Sequence, residues 1–283
     1  MAETKTNTTQ KDSIARPFLK WAGGKRQLLD VLVSHIPPFH RYYEPFLGGG
    51  ALFFALQPKN ATLNDLNREL INTYKTVKTN VEELIEELAK YQNSNDFYYK
   101  VRNLDRNTNF KSLTPIQHAA RFIYLNHTCY NGLYRVNSKG QFNTPFGRYR
   151  NPTIFDKNNL RLASGILQKG NIRLLSEDFA NVLKKVREGD FVYLDPPYDT
   201  VKGDSFTSYQ KNGFTKEDQI RLKKTLDVLS EKHVRFLLSN AATNFILELY
   251  KDYHIEIVKA KRAINSKAEG RGAVDEVLVM NDG

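Results

Sequence analysis

A chain of 283 residues, 40% of them hydrophobic, can bury a sizeable core as one large domain or as a core carrying a smaller insertion. Its formal net charge of +11 is compatible with a polyanionic partner, and its single cysteine, Cys129, excludes an intrachain disulfide. The histidines show no spacing with Cys129 that would build a metal site, no apolar run approaches membrane-spanning length, and Met1 to Ser13 lacks the apolar stretch of a leader, so a soluble, cytoplasmic, metal-free protein with a disordered tail at 1–15 is expected.

Beyond the tail, short apolar runs alternate with helical patterns. Arg41 to Glu44 and Ala61 to Asn64 read as buried strands, and the apolar run Ala51 to Leu56 suits a helix between them. Leu66, Leu70, Ile71, Tyr74, Val77, Val81, Leu84, Ile85 and Leu88 then follow helical spacing as core positions, with charged residues on the other face. The alternation breaks between about Asp96 and Phe155. There a helix is expected to start at Thr114-Pro115 and run through Ile116, Ala119, Ala120, Ile123 and Tyr124, followed by a stretch rich in Gly, Asn and aromatics. Strands resume at Ile172 to Leu175, Phe191 to Leu194 and Val234 to Leu238. His254 to Val258 and Glu276 to Met280 are expected to pair antiparallel at the sheet edge, around a basic loop with Lys261, Arg262, Lys267 and Arg271. The pattern predicts an α/β fold with a doubly wound parallel sheet formed by 16–95 and 156–283, and an inserted module at 96–155.

The insertion concentrates the charge. From Arg106 to Phe155 there is no Asp or Glu, while Arg106, Lys111, Arg121, Arg135, Lys139, Arg148 and Arg150 contribute seven of the net positive charges. A solvated basic face is the plain alternative. The interleaved Tyr130, Tyr134, Phe142, Phe146 and Tyr149 favour nucleic acid, because aromatic side chains add stacking and wedge surfaces to phosphate attraction.

Asp195-Pro196-Pro197-Tyr198 directly follows the apolar strand Phe191 to Leu194. The prolines alone would make a strand-terminating turn. The position also has chemical use, since open parallel sheets bind ligands at the carboxyl ends of their strands. An adenine amino group is a weak nucleophile because its lone pair is delocalised into the ring. The Asp195 carboxylate and the Pro196 carbonyl, held at a fixed angle, could accept from its two N–H groups and localise that lone pair, while Tyr198 stacks on the base. The target atom is inaccessible inside a duplex, so this chemistry needs base flipping.

Glu44-Pro45-Phe46-Leu47-Gly48-Gly49-Gly50 lies at another strand end. Its glycines make either a plain turn or a close backbone approach to a ligand. It lacks the G-x-G-x-x-G dinucleotide spacing, and Asp65, at the next strand end, is placed to bind ribose hydroxyls, which indicates a nucleoside without a pyrophosphate. Gly23-Gly24-Lys25 lacks the spacing and following Ser/Thr of a P-loop.

With these words in this order, the chain resembles the Dam-type, alpha-group family of DNA adenine-N6 methyltransferases from about Pro17 to Met280. Phe18 to Lys25 is similar to the family's N-terminal cofactor motif, Glu44 to Gly50 to its glycine motif, Asn64-Asp65 to its acidic motif, Ser176-Glu177-Asp178-Phe179 to its cofactor-adenine motif, and Asp195 to Tyr198 to its catalytic motif. The resemblance implies a Rossmann-like methyltransferase sheet with a helical and β-hairpin DNA-recognition insertion. It implies S-adenosylmethionine bound by Trp21, Ala22, Gly23, Lys25, Glu44, Pro45, Phe46, Gly48, Gly50, Asp65, Asp178, Phe179 and Asp195, with Asp195, Pro196, Pro197 and Tyr198 catalytic. It further implies double-stranded DNA containing GATC as partner, no membrane, no obligate protein partner, and functional pairing with a restriction endonuclease as one setting. Tyr130 to Asn137 and Gln141 to Tyr149 are similar to the family's target-recognition hairpin. By position Arg135 would read a guanine, Lys20 would help read the other, Leu133 and Pro145 would touch a thymine methyl, and Tyr130 with Asn131 would fill the space left by the adenine. Asn137 and Arg148 would complete that surface; Tyr134 receives no role. An N4-cytosine methyltransferase poses the same electronic problem, and a DNA-binding protein without catalysis is the alternative from another class. The leading Asp and the intact four-residue motif favour the adenine enzyme.

If the acid-free segment and the basic C-terminal loop contact phosphates, DNA affinity falls steeply as salt rises. A titration between low and moderate ionic strength checks this, and a flat response would make these charges a solvated face.

Overall fold

The computed structural model describes residues 15–23, 25–150, 152–199, 213–261 and 273–281. The expected tail up to residue 14, Gly24, and Arg262, Lys267 and Arg271 of the basic loop lie outside the described residues.

The first half runs α1 (Leu29–Ser34), β1 (Tyr42–Glu44), α2 (Ala51–Leu56), β2 (Asn60–Asn64), α3 (Arg68–Thr79), α4 (Val81–Leu88), α5 (Asn95–Arg102) and α6 (Pro115–Thr128). The second runs α7 (Lys157–Gln168), β3 (Asn171–Leu175), α8 (Phe179–Leu183), β4 (Phe191–Leu194), α9 (Lys216–Glu231), β5 (Arg235–Ala241), α10 (Asn244–Leu249), β6 (His254–Lys261) and β7 (Ala273–Met280). The sheet order is β3-β2-β1-β4-β5-β7-β6. β1 to β5 are parallel, whereas β7 pairs antiparallel with both β5 and β6. This is the Rossmann-like methyltransferase sheet expected from the sequence. Chain order reverses between β1 and β4, so the crevice opens at the carboxyl ends of these two neighbours, after Glu44 and before Asp195.

Strand residues alternate between the two faces of the sheet. Tyr42, Phe191, Tyr193, Leu237 and Leu278 join one hydrophobic core, and Tyr43, Val192, Leu194, Phe236, Leu238, Val277 and Val279 join the other. Because both faces are covered, β1 and β4 are buried throughout, and β4 reads as a continuous apolar run.

The run expected from Leu66 to Leu88 is two helices. Asn80, at φ −139°, ends α3 and precedes α4, which redirects the second helix. Leu66 is not a core residue: it precedes α3 and is 51% exposed, because Asn67 caps α3 by accepting from the Glu69 and Leu70 amides. The helix expected at Thr114-Pro115 starts there with a capping box, in which Thr114 and Gln117 exchange side-chain and backbone hydrogen bonds. Tyr98, Val101, Ala119, Ala120, Phe122, Ile123, Tyr124, Leu125 and Phe142 pack into the same core as α3 and α4, so residues 96–155 share the hydrophobic interior of the sheet's first face. Among the described residues, no helix is long and apolar enough to cross a membrane.

Two arginines of the acid-free segment are structural, which corrects the picture of seven charges free to meet an anion. Arg121 is buried and pairs with Asp105 at 2.8 Å while donating to the Val101 and Arg102 carbonyls. Arg106 also pairs with Asp105 and donates to the Phe142 carbonyl. Their acidic partner, Asp105, lies one residue before the segment. Asp105 also accepts the Phe142 amide at 2.8 Å, so one carboxylate fastens α6 to the loop that follows it. Asp105→Ala leaves the Arg121 guanidinium buried without its carboxylate and is expected to cost about 3–5 kcal/mol of stability, read by urea denaturation. A loss below about 1 kcal/mol, the range of an exposed pair, would show that the charge is screened.

Candidate active site and recognition face

The crevice between β1 and β4 gathers groups that are far apart in the chain. Lys25 is buried, and its ammonium donates to Asp195 Oδ1 at 3.0 Å, to the Gly23 carbonyl at 3.2 Å and to the Tyr198 hydroxyl. These three bonds use all three ammonium donors. Glu276, on β7, lies 3.5 Å from the same ammonium and accepts the Tyr198 hydroxyl proton at 2.8 Å. Ser239, on β5, donates to Asp195 Oδ1 at 3.1 Å and is within 3.2 Å of the Tyr193 hydroxyl. Both Lys25 and Ser239 therefore fall on one oxygen of Asp195, and Oδ2 has no hydrogen-bond donor among the described residues. Burial raises the Asp195 carboxyl above its ordinary range, against the pull of Lys25.

A second set of contacts fixes the motif from behind. Pro196 is buried, and the Pro197 carbonyl accepts from the Gln219 amide at 3.0 Å. Gln219 in turn takes a bond from Asn240, which also accepts the Asp199 amide at 3.1 Å. The turn after β4 is thus held through α9 and β5.

On the β1 side, Gly48 and Gly50 adopt φ of +47° and +65°. These are left-handed conformations that glycine takes without strain. A Cβ on Gly48 would come 2.6 Å from the Trp21 ring, which covers the glycine turn. Asp65 accepts the Gly48 amide at 3.0 Å and the Asn67 amide at 2.9 Å, one on each oxygen, so each oxygen keeps a lone pair for a further donor. Burial pushes Asp65 up to about 6. Glu44 is buried, accepts from the Tyr42 hydroxyl at 2.8 Å, and is pushed up to about 8, chiefly by desolvation. Asn64 knits the neighbouring turns, donating to the Pro45 and Glu177 carbonyls and accepting the Glu177 amide. Ala22 is half-buried and Gly23 exposed at φ +77°.

The third wall follows β3. Asp178 caps α8 by accepting the Ala180 amide and pairs with both ends of the Arg221 guanidinium at 2.7 and 2.9 Å. This pairing holds its carboxyl below the usual range. Arg221 lies 4.1 Å over the Phe179 ring, and Phe46 packs 5.5 Å from Phe179 and 5.6 Å from Phe214. Aromatic rings, exposed Leu66, the Asp65 lone pairs and the acidic cluster around Asp195 fit a nucleoside carrying a cationic sulfur. Lys25 and Arg221 are paired with carboxylates, so these two cations are not free for a pyrophosphate.

The residues expected to meet DNA, apart from Lys20, all follow α6 in the chain. Tyr130 is 44% exposed, Pro145, Arg148 and Arg150 are exposed, and Asn131 and Arg148 take φ of +54° and +51°. The hairpin exists in outline, with isolated antiparallel bridges at Cys129–Phe146 and Val136–Phe142 in place of a continuous ladder. Asn137 closes its tip: Oδ1 accepts the Lys139 and Gln141 amides, and Nδ2 donates to Gln141. Arg135 donates through Nε to Asn143 at 2.9 Å, and Leu133 is half-buried with its carbonyl taking the Thr144 hydroxyl. Tyr134 stacks between Trp21 at 6.1 Å and Phe122 at 5.0 Å, which makes it a packing residue that joins the N-terminal motif to α6. Cys129, at the end of α6, is buried and its thiol is pushed up to about 12.

Glu276, Ser239, Gln219, Asn240 and Arg221 are not singled out by the sequence. Glu276 carries the one visible signal, a carboxylate leading the wholly apolar run Val277 to Met280. The others become neighbours of the motif only through sheet order.

Residues 21–264 match the family model described as D12 class N6 adenine-specific DNA methyltransferase. The chain is 45% identical over 282 residues to a type II methyltransferase, M1.LlaDCHI, of Lactococcus lactis subsp. cremoris, an alignment covering 98% of this chain and 99% of that one. It is 44% identical to a type II methyltransferase, M.MjaIII, of Methanocaldococcus jannaschii, with 94% and 99% covered. It is also 35% identical to a DNA adenine methylase of Escherichia coli strain K12, with 94% and 95% covered.

The raised carboxyl of Glu44 has a consequence for stability. Between its ordinary value of 4.5 and about 8 the folded protein keeps the proton that the unfolded chain releases, so stability contributed by protonated Glu44 is lost as pH rises through that window. Glu44→Gln does not titrate. The Tm of the variant minus that of the parent is therefore expected to grow from about pH 5 to about pH 8 and then level off. A difference independent of pH, followed by thermal melts, would mean that Glu44 is ionised when folded.

Proposed function

Because the chain belongs to the D12 class N6 adenine-specific DNA methyltransferase family, we propose that it transfers a methyl group from S-adenosylmethionine to N6 of an adenine flipped out of double-stranded DNA, within GATC. That the protein is an adenine-specific DNA methyltransferase follows from the family and its relatives. The cofactor, the flipped base, the GATC site, a cytoplasmic setting and pairing with a restriction endonuclease are the proposal. It is carried by one observation: a motif carboxylate at the strand-order reversal has one oxygen fixed by Lys25 and Ser239 and the other without a donor among the described residues.

When bound, S-adenosylmethionine supplies an electrophilic methyl on a sulfonium. Asp65 would accept from its ribose hydroxyls, Phe46, Phe179 and Leu66 would flank its adenine, Asp178 would hold that ring's polar edge, and Trp21, Gly48 and Gly50 would shape the turn beneath it. Within the reaction, Asp195 Oδ2 and the Pro196 carbonyl accept from the two N–H groups of the target amine, which turns its nitrogen lone pair out of conjugation. Pro196 and Pro197, with Gln219 on the Pro197 carbonyl, keep those acceptors at a fixed angle. Lys25 and Glu276 hold the Tyr198 hydroxyl, which sets the plane in which its ring meets the base. Asp195 receives the surplus proton of the alkylated nitrogen at Oδ2, and its burial suits it to hold that proton.

On the DNA side, Tyr130 and Asn131 would occupy the space the adenine leaves. Arg135 reads a guanine with its terminal nitrogens, its Nε being engaged by Asn143. Lys20 helps read the second guanine, and Leu133 and Pro145 meet a thymine methyl.

The test incubates the protein and its variants with labelled S-adenosylmethionine and duplexes carrying GATC or single-base alterations, then identifies the modified nucleoside. N6-methyladenine on GATC is expected, with turnover abolished in Asp195→Ala while the protein stays folded and binds DNA. Arg135→Ala is expected to narrow the preference for GATC over a duplex altered at its guanine by about 5- to 150-fold. Equal turnover on altered duplexes by the parent protein would remove GATC, methylcytosine as product would remove adenine, and an Arg135→Ala variant that loses activity equally on both duplexes would make that arginine a phosphate contact.

A further inference from the structure

We propose that Asn126, which is 1% exposed and cannot itself touch DNA, is a specificity-determining positioning residue that sets where Lys20 meets its base. The proposal rests on Lys20 reading a guanine, as above.

Asn126 lies in the last turn of α6. Its side-chain amide treats the backbone of Lys20 as a strand neighbour would: Oδ1 accepts the Lys20 amide at 2.8 Å, and Nδ2 donates to the Lys20 carbonyl at 2.7 Å. The second N–H of the same group reaches the Gly132 carbonyl at 3.3 Å. Both amide donors are thereby used on two segments that the chain separates widely, the N-terminal motif and the turn at Tyr130–Gly132. Lys20 belongs to no strand or helix, so no ladder fixes its backbone; this one amide supplies both its polar partners.

The neighbouring contacts follow from that placement. The Lys20 ammonium donates to the His127 carbonyl at 3.2 Å and lies 4.9 Å from the Tyr149 ring centroid. The His127 ring contacts the Phe18 carbonyl at 2.9 Å and the Thr153 carbonyl at 3.0 Å, which brings the residues flanking Lys20 and Tyr149 to the same helix end. Gly132 completes the fit, because a Cβ there would stand 2.8 Å from both Cβ and Cδ of Lys20. Residues 18–20 and 130–132, with Tyr149 and Thr153, therefore take their mutual register from the end of α6. Discrimination between base edges depends on donor placement within a few tenths of an ångström. The group that fixes the Lys20 main chain thus acts on selectivity through Lys20.

The experiment measures kcat/KM of the full chain on GATC and on duplexes altered at either guanine, for the parent, Asn126→Asp, Lys20→Ala and the double variant, with cofactor affinity measured alongside. Asn126→Asp is nearly isosteric and keeps the acceptor for the Lys20 amide, but it loses both donors. It is expected to narrow the preference at the Lys20 guanine roughly tenfold, with cofactor affinity unchanged, and to add nothing in the Lys20→Ala background. A ratio left at the parent value, a fall equal on all duplexes, or effects of the two substitutions that multiply independently would overturn the proposal. Should Lys20→Ala itself leave every ratio unchanged, the assignment of Lys20 fails, and the role of Asn126 fails with it. Where Asn126→Asp does not fold, Gly132→Ala displaces Lys20 from the other side and is expected to narrow the same ratio; a parental ratio in that variant overturns the proposal equally.

Discussion

A single buried ammonium organises the centre of this protein. Two carboxylates and a phenol converge on Lys25, whose charge pulls against the burial and the neighbouring Glu276 that raise the Asp195 carboxyl. Its partners come from the N-terminal segment, the turn after β4 and strand β7, so the cluster closes only when the sheet has placed all three. Taking charges out of water costs energy that the mutual attraction recovers only in good geometry, which explains why each ammonium donor is matched to an acceptor. The consequence is directional: the contacts from Lys25 and Ser239 occupy one oxygen of Asp195 and leave the other facing away from both.

The sheet makes that convergence possible. Reversal of strand order between β1 and β4 opens a crevice whose two lips are the Glu44 turn and the Asp195 turn. The antiparallel insertion of β7 between β5 and β6 then sets Glu276 opposite Ala241, at the carboxyl end of β5. Beyond the sheet, α6 serves two masters. Its apolar side joins the core with α3 and α4, and its last turn holds Lys20 and the loop that follows. The loop after α6 is therefore anchored in the same core as the glycine turn, with Tyr134 and Trp21 stacked against each other.

Much of this was legible in the residues. The strand at Phe191 to Leu194 and the helix at Ala51 to Leu56 fall where apolar runs and their flanking turns place them. Asp195 and Asp65 announce themselves because each follows a buried strand with a polar residue at a ligand-binding edge. Periodicity failed at Asn80, where apolar spacing continues across a break that only backbone conformation marks. It also missed the exposure of Leu66, whose place in the pattern is that of a core residue. Charge counting misjudged Arg121, because a cation in a basic segment looks free until its partner, one residue upstream of that segment, folds against it. Glu276 and Asn126 act across separations of 251 and 106 residues from their partners, distances at which one-dimensional pattern carries no information about contact.

Cys129 sits where α6 ends and the following loop begins, buried and with its thiol pushed up to about 12. At neutral pH it offers almost no thiolate, and it is the thiolate that oxidants and alkylating reagents attack. The native chain is thus already suited to spectroscopic labelling: a cysteine introduced on an exposed position such as Lys139 would react in preference to the resident one, and the tip of the loop at Asn137 could be tracked by fluorescence without first rebuilding the protein's interior.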